Sequence, residues 1–174
     1  MKRIVILLWA CLMVLAVSAQ KKEKVSKEET IEYLNQKAKE AIGHEKISIA
    51  QAIFVNKKTV TDAYLKRTAS GVELYVNFHS PNASSYTYTA FNPKHIISIT
   101  NTSRQKLTLE SPVGVLEIKF IGRTALYNNN GDTTTVDRTN FHFLQTDADN
   151  QKRIEKALLH LRDIFKTEDN TFGD

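Results

Sequence analysis

Five histidines carry most of the catalytic potential of this sequence, but none lies close to another along the chain. No two are separated by two, three or four residues, the spacings that build local metal sites and nucleophile–base pairs. The chain also has no serine-nucleophile elbow, zinc-protease, phosphate-loop or dinucleotide-binding motif. The sequence therefore predicts no metal site and no cofactor, and it favours a protein that is not an enzyme. The five histidines are His44, His79, His95, His142 and His160.

Other polar residues that could do chemistry have simpler interpretations. His142 alternates with phenylalanines in the segment Phe141–Phe143, so we expect it on the solvent face of a strand. Asp147 and Asp149 resemble the start of a calcium loop, but the later ligands and the central glycine are missing. We interpret them as acidic residues at the start of the helix that follows, where the helix dipole favours them and either could cap it. Asp132 lies in an asparagine-rich segment and is interpreted as a turn residue.

A basic group early in the chain is a candidate contact for a ligand or partner. Lys57, Lys58, Lys66 and Arg67 flank a predicted hairpin near the start of the strand region. Such a group could bind an anionic ligand, and the alternative is a solvated basic loop.

A pair of tyrosines is the second candidate contact. Tyr86 and Tyr88 alternate along a predicted strand, so both side chains lie on one face of the sheet. An exposed aromatic pair could bind a sugar or a protein partner. Packing within the core or across strands is the alternative, and it is favoured.

Composition and charge exclude several classes of function. The chain has 174 residues, with 24 basic and 19 acidic side chains and a single cysteine. The first nineteen residues contain that cysteine and two of the basic residues, so the remainder carries 22 basic and 19 acidic side chains. This modest excess is no clustered basic face for nucleic acid. Without cysteine, the remainder has neither a disulfide nor thiol chemistry.

The N-terminal residues 1–19 have the features of a signal peptide. A positive start precedes an apolar run from Ile4 to Val17, and small residues through Ala19 predict cleavage before Gln20. A run of fourteen apolar residues is too short for a membrane anchor, which needs about 20. A lipoprotein site at Cys11 is the other alternative. We expect an exported protein, periplasmic or extracellular, with no membrane span after cleavage.

The rest of the chain predicts a single α+β domain over 28–174, preceded by a flexible leader at 20–27. A capping box at Ser26 and Glu29 predicts a helix over 28–42. From 46 to 145 the apolar residues recur at every second position, which indicates seven or eight antiparallel strands. An amphipathic helix is predicted over 148–166.

This order of elements resembles the pleckstrin-homology-like superfold and, with its early helix, uncharacterised secreted bacterial proteins of that layout. The early helix contains Thr30–Asn35, and the most family-like stretch is Arg153–Leu161. The resemblance implies a strongly bent sheet or partly open barrel whose final helix plugs one end. It also implies a place for basic residues near the start of the sheet, where lipid-binding members hold anionic headgroups. Fold alone does not imply function.

Three functional hypotheses from different classes follow. The first is a non-enzymatic binding or scaffold module whose partner is another cell-envelope protein or a peptide added to a sheet edge. The second is a carrier that holds a small apolar ligand between the sheet and the C-terminal helix. The third is a hydrolase whose site is assembled from distant histidine, aspartate and serine residues.

Overall fold

The structure is a computed structural model that describes residues 25–50, 54–102, 111–145 and 149–171. The predicted signal peptide at 1–19, most of the predicted leader and Asp147 lie outside these residues. No helix in the described ranges is long and apolar enough to cross a membrane.

The first helix, α1 (Lys27–Lys39), begins at the capping box that the sequence predicts. The backbone N–H of Glu29 donates to Ser26 Oγ at 3.1 Å, and the N–H of Ser26 donates to the Glu29 carboxylate at 2.7 Å. Hydrogen bonds from the backbone and the side chain of Ser26 hold the pKa of the Glu29 carboxyl below its usual value. The helix ends three residues before the predicted limit, and Gly43, at φ +84°, then donates to the carbonyl of Val60.

Nine strands follow within the described ranges, and they form two antiparallel sheets. The larger sheet has the order β1-β2-β3-β4-β7-β8, and the smaller has the order β5-β6-β9. A short 3₁₀ helix (Pro93–His95) connects β4 to β5. The strands are β1 (Glu45–Ala50), β2 (Phe54–Arg67), β3 (Val72–Ser80), β4 (Ala83–Phe91), β5 (Ile96–Asn101), β6 (Val113–Phe120), β7 (Ala125–Asn129), β8 (Asp132–Val136) and β9 (Arg138–Leu144).

The expected α+β fold is confirmed, with one helix before the antiparallel strands and one after them. The strands number nine in the described residues rather than seven or eight, and the sheets do not close into a barrel. The chain passes between the two sheets three times, from β4 to β5, from β6 to β7 and from β8 to β9. The last change takes a single residue, Asp137, so β8 and β9 are neighbours in sequence without being hydrogen-bonded partners.

The last helix, α2 (Asn150–Thr171), begins directly after Asp149 and extends beyond the predicted end at 166. It packs against α1, the 3₁₀ helix and β5. Lys27 pairs with Glu168 at 2.6 Å and thereby ties α1 to α2. The core lies between the two sheets and the helices, and its largest fully buried side chains are Leu34, Leu65, Ile96, Leu116, Ile118, Phe120, Phe141, Phe143, Ile154, Leu158 and Leu161.

Candidate functional site

A cavity of about 290 Å³ lies between the two sheets. Its walls come from β1, β3, β4, β7 and β8 on one side and from β9 on the other. Most of the side chains that line it are polar, although the protein core around it is apolar. The lining residues are Lys46, Phe78, Thr87, Tyr127, Val136, Arg138, Thr139, Asn140 and His142.

The cavity lies beside the change of sheet at Asp137. Val136 ends β8 and Arg138 begins β9, and both side chains line the cavity. A hydrogen bond of 2.7 Å between the buried hydroxyls of Thr89 and Thr139 joins β4 of the larger sheet to β9 of the smaller. The two sheets are thus held together next to the space that they leave open.

A lysine and a histidine from distant strands meet in this cavity. Lys46 Nζ, on β1, lies 3.0 Å from His142 Nε2, on β9. The expectation that His142 faces solvent is wrong, because only 5% of its surface is exposed. It does point to the opposite side of β9 from its phenylalanine neighbours, but that side is covered. The ring of Phe78 packs edge-on against the imidazole, with the two ring centroids 5.0 Å apart. Lys46 Nζ contacts Nε2 of the same imidazole.

Burial sets the protonation of this pair. Burial, together with the nearby charge of Lys58, lowers the pKa of Lys46 to about 8. Burial and the charge of Lys46 hold the pKa of His142 well below its usual value, so the imidazole is neutral. The ammonium of Lys46 therefore donates a hydrogen bond to the free Nε2 lone pair. The other ring nitrogen, Nδ1, is buried and has no hydrogen-bond partner within the described ranges.

The cavity has a positive electrostatic character. No carboxylate from the described part of the chain pairs with Lys46 or with Lys58, the residue opposite it on β2. Arg138 also lines the cavity and is shared between Asp137 at 3.2 Å and Glu117 at 3.6 Å. Its side chain is 53% exposed, so it lies where the cavity reaches solvent. A half-buried charge such as that of Lys46, with no opposite charge beside it, is costly, and an entering anion would compensate it.

The predicted basic group does not form one site. All four residues, Lys57, Lys58, Lys66 and Arg67, lie on β2. Lys57 and Lys66 are nine positions apart on this extended strand, which places them about 30 Å from each other. Three of the four also have carboxylate partners, because Lys57 pairs with Glu45, Lys66 with Glu73 and Arg67 with Glu28. Lys58 instead contacts Ser85 Oγ at 3.4 Å.

The predicted tyrosine pair does share one face of β4, and it belongs to a larger cluster on the outer face of the larger sheet. Tyr75 stacks on Tyr64 at 4.9 Å and on Tyr86 at 6.1 Å. The hydroxyls of Tyr64 and Tyr88 donate to the Glu73 carboxylate at 2.8 and 3.2 Å. These contacts are cross-strand packing, the alternative that the sequence favours.

Glu73 is the centre of this tyrosine cluster and is only 8% exposed. Burial raises the pKa of Glu73. Hydrogen bonds from Lys66, Tyr64 and Tyr88, together with the charge of Lys66, outweigh burial and leave the pKa lowered. Burial, together with the same carboxylate, raises the pKa of Tyr64. The cluster is an ionised carboxylate with its hydrogen bonds satisfied, which is a stabilising arrangement.

The remaining histidines do not converge on a site. His160 Nε2 contacts the carbonyl oxygen of Val25 at 2.9 Å, and His79 Nδ1 contacts Ser84 Oγ at 3.1 Å. The Nδ1 atom of His95 is buried without a hydrogen-bond partner in the described ranges. In the described part of the chain, no group of three or more histidine, cysteine, aspartate or glutamate side chains could hold a metal ion.

Comparisons of the chain with protein-family models, with curated proteins and with solved structures give no match. The resemblance in element order to pleckstrin-homology-like proteins therefore stays an expectation from sequence.

Sequence reasoning missed Lys46 and Arg138 as site residues. Lys46 and His142 are 96 positions apart, so no local spacing relates them. The one available signal was His142 itself, a polar residue between two aromatic core residues. That pattern does not tell whether the polar face is covered by another part of the chain.

Proposed function

We propose that this protein is a non-enzymatic binding module, acting outside the cytoplasm, that takes a small anionic ligand into the cavity between its sheets. The observation that carries the proposal is the half-buried ammonium of Lys46, which contacts a neutral imidazole and has no carboxylate partner in the described residues. A bound carboxylate or phosphate would supply the missing charge. Charge-assisted hydrogen bonds of this kind are the stronger ones in proteins.

The size and the lining of the cavity define the ligand. About 290 Å³ is close to the lower end of ligand-binding cavities, so a ligand of a few heavy atoms fits. Arg138 at the solvent side would meet the ligand first, and Lys46 would hold it inside. The hydroxyls of Thr87 and Tyr127 offer further hydrogen bonds, and Phe78 and Val136 offer apolar contacts.

The two alternative functions gain no support from this geometry. A hydrolase would need a histidine beside a carboxylate in a cleft, whereas the imidazole of His142 faces an ammonium. An apolar carrier would need an apolar cavity next to the C-terminal helix, whereas this cavity is polar and lined by strands. A cell-envelope protein or peptide remains the proposed macromolecular partner.

The location outside the cytoplasm rests on the N-terminal sequence. We expect the chain purified from its own producing cells to begin at Gln20, with intact-mass spectrometry as the measurement. A chain that still begins at Met1 would contradict export with signal cleavage.

Anion binding is tested by titration calorimetry with acetate and with inorganic phosphate. We expect at least one of them to bind, and we expect Lys46→Met to weaken that binding by about 10- to 100-fold, because a hydrogen bond to a charged group is lost. Lys57→Met is the matched control, since it removes an equal charge from the exposed start of β2 and should leave affinity unchanged. No binding to the wild type, or equal losses in both variants, would contradict the proposal.

A further inference from the structure

Lys46 has the surroundings of a reactive amine as well as those of a charged anchor. We propose that Lys46 Nζ condenses with the carbonyl carbon of a small oxo acid and holds it in the cavity as an imine. This inference rests on the proposed function, because the carboxylate of the oxo acid would bind as the proposed anionic ligand does, with Arg138 meeting it first. It adds a covalent step that anion binding does not require.

The geometry places three necessary features within one cavity. The amine lines an open space, so a carbonyl carbon can approach it. A neutral imidazole nitrogen lies 3.0 Å from the amine, close enough to accept and return a proton. The ring of Phe78 lies 5.2 Å below Nζ, and it excludes water from that side.

The chemistry balances without any oxidant or reductant. The neutral amine attacks the carbonyl carbon and forms a C–N bond while the C=O electron pair moves to oxygen. His142 Nε2 takes one proton from the new C–N nitrogen and passes it to that oxygen, which gives a carbinolamine. His142 Nε2 then carries the second proton of that nitrogen to the hydroxyl, which leaves as water with the C–O electron pair while the electron pair left on nitrogen forms the C=N bond. The net change is amine plus carbonyl giving imine plus water.

Burial, together with the charge of Lys58, keeps part of the Lys46 population neutral. Lys58 faces it from β2, His142 and Arg138 from β9, and Tyr127 from β7; none of these is an acid that would hold the proton in place. With the pKa of Lys46 at about 8, about one molecule in ten carries the free amine at pH 7. A lysine with the usual pKa has about one in a few thousand.

The test uses glyoxylate, a small aldehyde that carries a carboxylate, with cyanoborohydride to reduce any imine to a stable carboxymethyl amine. Peptide mapping by mass spectrometry then reports which lysines of the full chain are modified at pH 7. We expect Lys46 to be modified at least about tenfold faster than Lys57, Lys58 or Lys66. Similar rates at all four lysines would overturn the proposal.

Two results on the wild-type protein separate this inference from the proposed function. The binding of acetate or phosphate needs only the charge of Lys46, whereas the adduct needs its primary amine. If the wild type binds these anions but Lys46 shows no selective adduct, the imine is overturned and the proposed function stands. If Lys46 is modified selectively but neither anion binds, the proposed function is overturned and the reactive amine stands. If neither is seen, both are overturned.

Discussion

Replacing Lys46 by methionine is expected to remove a rise in folding stability of about 2 kcal/mol that the wild type should show between pH 7 and pH 10. The pKa of Lys46 is about 8 in the folded protein, below the usual lysine value that applies to the unfolded chain. Between these two pKa values the unfolded chain binds more protons than the folded one. Stability therefore increases as pH rises through that window, and the penalty of the buried ammonium is fully present below it.

The measurement is urea unfolding of both proteins at a series of pH values, compared as the difference between them. The difference matters because tyrosines whose pKa is raised, such as Tyr64 and Tyr88, oppose the effect in wild type and variant alike above pH 10. Lys57→Met should show no pH-dependent difference from wild type. A flat difference curve for Lys46→Met would mean that this amine is not destabilised by burial.

This predicted penalty bears on function. A residue that lowers the stability of the free protein, next to a cavity, fits the common trade-off between stability and activity at binding sites. Lys46→Met is thus expected to have a folding stability that varies less with pH near neutrality than that of the wild type. It is also expected to bind the anions more weakly. A purely structural lysine would show no such opposition between the two measurements.

Gly71→Ala is expected to destabilise the protein by more than about 3 kcal/mol, or to prevent folding. A Cβ atom at this position would lie 2.2 Å from the carbonyl oxygen of Phe91 and 2.9 Å from the Cα atom of Asn92. Both are backbone atoms, so no side chain can move aside. Gly71 directly precedes β3, whose first residue, Val72, pairs with Phe91 of β4. Relieving the clash would force these two strands apart.

The matched control for this substitution is Gly122→Ala. Gly122 has φ +61°, and a Cβ atom there would meet nothing within 4 Å. Its expected cost is therefore the left-handed backbone conformation alone, about 1–2 kcal/mol. Thermal unfolding of both variants measures the comparison. Equal costs would show that close packing at Gly71 is not the reason for a glycine there.

Much of the fold could be predicted from local patterns because those patterns have local causes. The capping box at Ser26 sets the start of α1, since its bonds join residues three apart. Alternation such as that of Leu74, Val76 and Phe78 places one face of β3 on the core. The division into two sheets could not be predicted, because alternation shows which face is buried but not which strand lies alongside.

The candidate site was hidden for the same reason. Alternation places His142 on the opposite side of its strand from the two phenylalanines, but the larger sheet covers that side, so the predicted surface position is an interior one. Lys46 gains its chemistry only from contact with a strand 96 positions away. The basic residues that stood out in the sequence, such as Lys66 and Arg67, have carboxylate partners and line no part of the cavity.

The contact between α1 and α2 has a consequence for how the chain acquires its structure during translation. Lys27 and Glu168 are 141 positions apart, and α2 supplies the core residues Ile154, Leu158 and Leu161. A ribosome makes α1 and all nine strands of the described chain before it makes these residues. The nascent chain therefore lacks the side chains that complete its interior until α2 has been made. Native structure can form only after α2 has left the ribosome, and the earlier stages leave apolar strand faces open to chaperones.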